Sequence, residues 1–167
     1  AVAIGQSQDT PPRIKVMKEE LFRNFETLQK EKTPPYYMSY SIDETRIQMV
    51  NGSFGSIMAK NEDHAALLRI SVRTGSYDLD NNHELRRTAA NPAFSRTSAS
   101  VRVPLGESPE TLKLILWRET DGIYRNAVEM LSRVKSEQSM SVAEEDKSGD
   151  FSKIAPHVSL EKPLDIR

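Results

Sequence analysis

Two stretches of the chain place apolar residues three or four positions apart, and this spacing predicts helices with one apolar face. The first helix is expected to begin with Thr10 as its N-cap and to stop before Pro34, since proline cannot continue a helix. The second is expected to begin at Pro109, with Ser108 as its N-cap, and to run to about Lys135. The apolar stripes consist of Ile14, Met17, Leu21, Phe25 and Leu28 in the first helix, and of Leu112, Ile115, Leu116, Ile123, Ala127, Met130, Leu131 and Val134 in the second.

Between these helices, apolar and polar residues alternate, which is typical of half-buried β-strands. Residues 43–45 and 61–64 are polar and are predicted as turns. Asn51-Gly52 fits either a two-residue hairpin turn or a bulge within one long strand. The alternation predicts three or four strands within residues 36–42, 46–59, 68–73 and 98–103.

This order of elements predicts an α+β fold, with an antiparallel sheet of three to four strands packed against two amphipathic helices. Strands that are adjacent in the sequence and joined by short turns pair antiparallel, and the two helices are available to cover one sheet face. Residues 12–136 are expected to form this domain. Residues 1–11 are expected to be a disordered tail or a signal-peptide remnant, and residues 137–167 an extended arm or linker.

A long polar stretch at residues 76–97 is the first candidate for a functional segment. Loops of this length are uncommon inside a compact domain and often carry function. We expect Tyr77, Asp80 and His83 to contact a substrate or a partner. Residues 78–82 resemble a calcium loop in composition, but they lack the glycine and glutamate positions of an EF-hand. Capping of the loop backbone by these side chains is therefore the preferred interpretation.

Composition and charge exclude several classes of site. The 167 residues carry 23 Lys and Arg and 24 Asp and Glu, and this balance argues against a general nucleic-acid binder. The sequence has no cysteine, which excludes a disulfide, a cysteine nucleophile and a thiolate metal site in this chain. Its three histidines lack metal-ligand spacing, and no stretch reaches the ~20 apolar residues of a membrane-spanning helix. We therefore expect no catalytic residue, metal or cofactor in this chain, and an independent small hydrolase is the weakest hypothesis.

Five stretches of the sequence, taken together and in the order in which they occur, carry a resemblance to a known family. They are Pro34-Pro35-Tyr36-Tyr37-Met38-Ser39-Tyr40, Ser53-Phe54-Gly55-Ser56, Val72-Arg73-Thr74-Gly75-Ser76-Tyr77-Asp78-Leu79-Asp80-Asn81, Leu116-Trp117-Arg118-Glu119-Thr120-Asp121-Gly122-Ile123-Tyr124 with Ala127, and Val142-Ala143-Glu144-Glu145-Asp146 running to Asp150-Phe151-Ser152. In this order they resemble the N-terminal region of the TldD/PmbA family of predicted bacterial metallopeptidases, formerly called modulators of DNA gyrase. The resemblance extends over residues 12–156.

The resemblance implies a function for the whole protein more than for this chain. The zinc site of the family is an H-E-x-x-x-H helix plus a later cysteine in the C-terminal half, and neither occurs in this sequence. The resemblance therefore implies a non-catalytic N-terminal domain of a metal-dependent peptidase, followed by a linker toward a catalytic half that holds the zinc. It also implies a role in dimer assembly and in substrate access.

The partners that follow from the resemblance are the C-terminal domain of the same protein or a paired subunit, in a homodimer or heterodimer, and a peptide substrate. No nucleic-acid partner and no membrane span are expected. The short apolar run Ala1-Val2-Ala3-Ile4, followed by small and amide residues, favours a periplasmic or secreted protein over a cytoplasmic one. The alternative function is a stand-alone protein-binding or adaptor module that pairs with a separate catalytic subunit.

Overall fold

The fold is α+β, as predicted, and consists of one antiparallel sheet and two helices. The computed structural model describes residues 11–83, 98–106, 108–140, 149–155, 157 and 159. Three strands pair in the order β1-β2-β3, so β2 is central and β1 and β3 lie at the edges of this sheet. In chain order the elements are α1 (Pro12–Leu28), β1 (Pro35–Ser53), β2 (Ser56–Thr74), β3 (Ser98–Val103) and α2 (Pro109–Met140).

The ends of the helices agree only in part with the predictions. At the start of α2 the Thr111 N–H donates to Ser108 Oγ at 3.2 Å, which is the predicted N-cap. Pro11 is the N-cap of α1, without a side-chain cap bond, so the prediction of Thr10 is wrong, and Thr10 itself lies outside the described residues. Helix α2 continues five residues past the predicted end at Lys135, to Met140. Neither α1 nor α2, the two helices in the described part of the chain, combines the length and the apolar content that crossing a membrane requires.

The hydrophobic core lies between one face of the sheet and the two helices. Burial of a large apolar side chain stabilises a fold by about 1.5–3 kcal/mol, so the fully buried positions dominate the stability. They belong mainly to the central strand and to α2: Ala66, Leu68, Ile70 and Val72 on β2, and Leu112, Leu116, Ala127 and Val134 on α2.

A polar bridge inside this core joins three elements. Asn24 of α1 donates its side-chain N–H to the Tyr40 hydroxyl of β1 at 3.0 Å. The same hydroxyl lies 2.6 Å from the hydroxyl of Thr120 on α2. Burial raises the pKa of Tyr40, so the phenol stays neutral and keeps both hydrogen bonds. The bridge fixes how the two helices sit on the sheet, since a buried polar group without a partner is costly.

Strands β1 and β2 form a hairpin that extends well beyond the core. Their outer residues are exposed, whereas the residues that pair near the base of the hairpin are buried or half-buried. The predicted turns at 43–45 and 61–64 are therefore wrong, because both segments continue as strand and pair with the opposite strand. Polar residues there reflect water on both faces of the hairpin. The chain reverses instead at Phe54-Gly55, where both residues have positive φ, the geometry of a tight hairpin turn.

Asn51-Gly52 does not form the hairpin turn but lies opposite a bulge in β2. The alternative of a bulge within one long strand is also wrong, because the turn at Phe54-Gly55 divides the strand predicted over residues 46–59. The register changes from Asn51↔Ala59 to Gly52↔Ile57, so Met58 is the extra residue of β2. Large apolar side chains are exposed around this end of the hairpin. They are Ile47, Met49, Val50, Phe54, Ile57 and Met58.

Candidate functional site

The three residues that the sequence singled out lie close together at the base of the hairpin. Residues 76–83 form a short loop after β2, and residues 149–153 pack against it. We call this site the anchor cluster. It consists of Tyr36, Tyr37, Arg73, Tyr77, Asp80, His83, Asp150 and Phe151.

Backbone constraints after β2 bend the loop back onto the strand. Gly75 has φ +107°, and a Cβ atom there would lie 2.6 Å from the carbonyl oxygen of Leu79, so only glycine fits. The buried side chain of Asn81 accepts the Thr74 N–H at 2.7 Å and donates to the carbonyl oxygen of Val72 at 3.3 Å. Asn81 thus satisfies the backbone where β2 loses its partner strand, and it holds the neighbouring Asp80 in the interior.

Asp80 is the centre of the anchor cluster, and its side chain is fully buried. Its Oδ2 atom accepts hydrogen bonds from the Tyr36 hydroxyl and from Nη1 of Arg73, each at 2.6 Å. Its Oδ1 atom accepts the N–H of Asn82 at 2.6 Å. A buried carboxylate is tolerated only when it is paired and hydrogen-bonded, and both oxygens of Asp80 meet that condition.

The pairing shifts the ionisation of both partners of Asp80. Burial, followed by the hydrogen bond and negative charge of Asp80, raises the pKa of Tyr36 far above its ordinary value. Burial alone would lower the pKa of Arg73, but the hydrogen bond and charge of Asp80 outweigh it and raise that pKa. Tyr36 therefore remains a neutral donor and Arg73 a cation over the physiological range.

Hydrogen bonds between the 149–153 segment and the loop hold the segment in place. Oδ2 of Asp150 accepts the backbone N–H of Asp80 at 2.7 Å, and Oδ1 of Asp150 lies 2.7 Å from Nδ1 of His83. The backbone N–H of Phe151 donates to the carbonyl oxygen of Tyr77 at 3.0 Å. A Cβ atom at Gly149 would lie 3.0 Å from that same oxygen, so the segment approaches the loop closely.

The ring of Phe151 is held by contacts with other aromatic rings and with Arg73. It is stacked on Tyr77, with centroids 5.9 Å apart, and lies 5.0 Å from the ring of Tyr37. The guanidinium carbon of Arg73 lies 4.1 Å from the Phe151 centroid, a cation–π distance. Tyr36 is the extra residue of a bulge in β1, and this bulge lets two consecutive tyrosines contact the same ring.

The arrangement is suited to binding a peptide segment. Its groups are a backbone donor, a backbone acceptor, an imidazole and a set of rings, which together recognise main chain, a carboxylate and an aromatic side chain. Among the residues that the structure describes, no group of three or more His, Cys, Asp and Glu could hold a metal ion.

Tyr77, Asp80 and His83 are brought together in the structure, and each of them contacts a later segment of the same chain, Asp80 through its backbone N–H. Their role toward a substrate or partner stays a prediction. The remainder of the predicted loop, residues 84–97, lies outside the described residues.

Five members of the anchor cluster were not predicted as site residues: Tyr36, Tyr37, Arg73, Asp150 and Phe151. Tyr36, Tyr37 and Arg73 lie in strands, where the alternation explains them as ordinary strand residues. Asp150 and Phe151 follow a polar stretch that composition assigns to a linker. The one available signal was that all five belong to the stretches that carry the family resemblance.

Comparison of the chain with protein-family models, with curated proteins and with solved structures finds no match in any of the three.

Proposed function

We propose that this chain is the non-catalytic N-terminal domain of a TldD/PmbA-like metal-dependent peptidase, contributing to assembly and substrate access. Zinc and the catalytic residues would belong to a C-terminal domain of the same protein. The observation that carries the proposal is the composition of the anchor cluster.

Three of the stretches that resemble the family meet in that cluster, although they are far apart in the sequence. Tyr36-Tyr37 comes from the first stretch, Arg73 to Asp80 from the third and Asp150-Phe151 from the last. Chance similarities in separate segments have no reason to converge on one set of contacts. The convergence supports a shared structural unit that orients the chain where it leaves the domain.

The edge of β1 supports a role in assembly. In the described sheet β1 pairs only with β2, and its outer half is exposed. An open strand edge is a template for another strand. If two β1 strands paired antiparallel about Thr45, Glu44 of each copy would lie opposite Arg46 of the other, an attractive cross-strand pair. We therefore take a second copy as the partner at this edge.

A charge-swap series in the complete protein tests the assembly role. Glu44→Arg and Arg46→Glu should each weaken the dimer measured by light scattering, because each places like charges opposite one another. The double variant should restore it. Within the chain, Glu44 and Arg46 each form an exposed ion pair that contributes at most about 1 kcal/mol to stability. Both variants should therefore still fold. A dimer that neither single variant weakens would remove β1 pairing from the proposal.

Peptide hydrolysis by the complete protein tests the enzymatic part. We expect cleavage of an unfolded peptide that stops when a chelator removes the metal and returns when zinc is added. A complete protein that is fully metal-loaded and cleaves no peptide would contradict the proposal.

The second candidate function is an adaptor module, and the exposed apolar end of the hairpin favours it. Six large apolar side chains in one exposed region are typical of a protein-binding surface. The adaptor hypothesis predicts hydrolysis only when a separate catalytic subunit is added. Hydrolysis by the complete protein alone would exclude it.

A further inference from the structure

The 149–153 segment binds the rest of the domain much as a separate peptide would bind a groove. Its contacts are local to the segment: the Asp150 carboxylate, the Phe151 N–H and the Phe151 ring. Residues 141–148 separate it from the end of α2. The receiving groups all belong to β1, β2 and the 76–83 loop.

We propose that these receiving groups form a peptide-binding groove that selects an acidic residue followed directly by an aromatic one. In this structure the groove is filled by Asp150-Phe151 of the same chain. The inference goes beyond the proposed function, since it concerns the groove alone and holds whether or not the chain belongs to a peptidase.

The acidic position is specified by two donors that converge on one carboxylate. The Asp80 N–H and the His83 ring approach different oxygens of Asp150, each at 2.7 Å. A carboxylate accepts at both oxygens, whereas an amide side chain accepts at only one. The Asp80 N–H is aimed by the burial of its own side chain, which Tyr36 and Arg73 hold in place. An asparagine at the ligand position would lose the charge of the carboxylate and would present an NH₂ group to one of the two donors, so it would keep the contact with His83 only if the imidazole accepted there.

The aromatic position is specified by the rings and by Arg73. Tyr37 and Tyr77 contact the Phe151 ring, and the Arg73 guanidinium lies 4.1 Å from its centroid. An aliphatic side chain would keep some apolar contact but lose the cation–π interaction and the ring stacking. The Phe151 N–H bond to Tyr77 fixes the spacing between the acidic and the aromatic side chains.

Covalent attachment explains why a small set of contacts suffices in this chain. A short tether gives a segment an effective concentration in the millimolar range, so even weak contacts keep it bound. A free peptide of the same pattern would have to compete with this concentration. The groove should therefore accept a peptide in trans only when the attached segment is disabled or released.

A labelled peptide of residues 148–154, Ser-Gly-Asp-Phe-Ser-Lys-Ile, tests the groove in the full chain. Fluorescence anisotropy measures the binding of this peptide to wild type and to the double variant Asp150→Ala, Phe151→Ala. We expect the double variant to bind the peptide at least tenfold more tightly than wild type. Peptides with Asn in place of Asp, or Ala in place of Phe, should bind the double variant at least tenfold more weakly.

Two results would overturn the inference. One is a double variant with the circular dichroism and cooperative unfolding of wild type that binds the three peptides equally. The other is wild type binding the peptide as tightly as the double variant.

A second measurement applies if the double variant does not fold. A protease site placed within residues 141–148 is cleaved after the otherwise unchanged chain has folded. The labelled peptide should then displace the released segment from the groove. The peptides with Asn in place of Asp, or Ala in place of Phe, should not displace the segment. Release of the segment without uptake of the peptide, or retention of the segment without exchange, contradicts the inference.

Discussion

Nδ1 of His83 lies 2.7 Å from Oδ1 of Asp150, although 67 positions separate the two residues in the chain. The other oxygen of the same carboxylate accepts the backbone N–H of Asp80. Asp150 thus joins the loop after β2 to a segment that follows α2. This contact makes the anchor cluster a junction between the folded domain and the chain that leaves it, which is the basis of both proposals above.

Replacement of Asp80 by Asn should destabilise the protein by about 3 kcal/mol or more. The substitution leaves Arg73 without its buried counter-charge, and breaking one side of a buried pair is strongly unfavourable. Urea unfolding measures the change. The matched control is Asp43→Asn, which removes an exposed ion pair with Arg69 and should cost no more than about 1 kcal/mol. Equal effects of the two substitutions would show that the Asp80 pair is not buried in solution.

Gly75→Ala should destabilise the protein by at least about 2 kcal/mol. The residue has φ +107°, and the added Cβ would meet the backbone of Leu79 at 2.6 Å and a methyl group of Leu131 at 3.0 Å. Gly122→Ala is the control, since this glycine lies within α2 and has nothing within 4 Å of the added atom. There alanine should stabilise the helix by up to about 1 kcal/mol. A Gly75→Ala variant that unfolds at the same urea concentration as wild type would contradict the described turn.

Stability should fall at alkaline pH as Tyr36 ionises. The pKa of Tyr36 is raised in the folded state by burial and then by Asp80, while an unfolded tyrosine titrates near its ordinary value of 10.0. Below that value both states hold the proton and the contribution to stability is complete. As the pH rises from there through the folded-state pKa, the unfolded state loses its proton first and the contribution is lost.

Phenolate absorbance and urea unfolding as functions of pH measure this effect. Wild type should show a late-titrating phenol that is missing in Tyr36→Phe, and its stability should decline more steeply with pH than that of the variant. Identical titration curves for the two proteins would show that Tyr36 is not held as described.

The outer half of the hairpin should contribute little to stability. Ile57 is 74% exposed, so Ile57→Ser should change the free energy of unfolding by no more than about 0.5 kcal/mol. Leu68 lies on the same strand but is fully buried, and Leu68→Ala should cost about 2–5 kcal/mol. Chemical denaturation of the two variants makes the comparison. A large loss in Ile57→Ser would mean that the end of the hairpin is covered in solution.

The helices and the fold class could be predicted because local signals and tertiary structure agree. The apolar stripe of α2 includes Leu112, Leu116 and Val134, and these residues are buried where the pattern placed them. The Ser108 cap is a local signal as well, and it forms as expected. The cap of α1 was misplaced because Thr10 and Pro11 both suit a helix start, and nothing local chooses between them.

The length of the hairpin could not be predicted from the pattern. Glu44 and Asp63 suggest turns only if a strand is assumed to have one buried face. In the structure both faces of that part of the hairpin are exposed, and its charges form ion pairs such as Arg46 with Glu62 across the strands. Polarity there reports exposure on both faces and carries no information about chain direction.

Three of the eight residues of the anchor cluster could be predicted from the sequence, and five could not. The polar loop pointed to Tyr77, Asp80 and His83, because loops of this length are uncommon inside a compact domain and often carry function. Their partners Arg73 and Asp150 depend on contacts between segments far apart in the chain, and no local pattern encodes such contacts.

Amide hydrogen exchange at Asp80 and Phe151 tests most directly whether the domain grips the 149–153 segment. Both N–H groups donate across the junction, so both should be protected in wild type. Asp150→Ala should make both exchange rapidly while the core amide of Leu68 keeps its protection, and the control Ser152→Ala, at an exposed position, should change neither. Asp80 and Phe151 amides that exchange as fast in wild type as in an unstructured peptide would contradict the account.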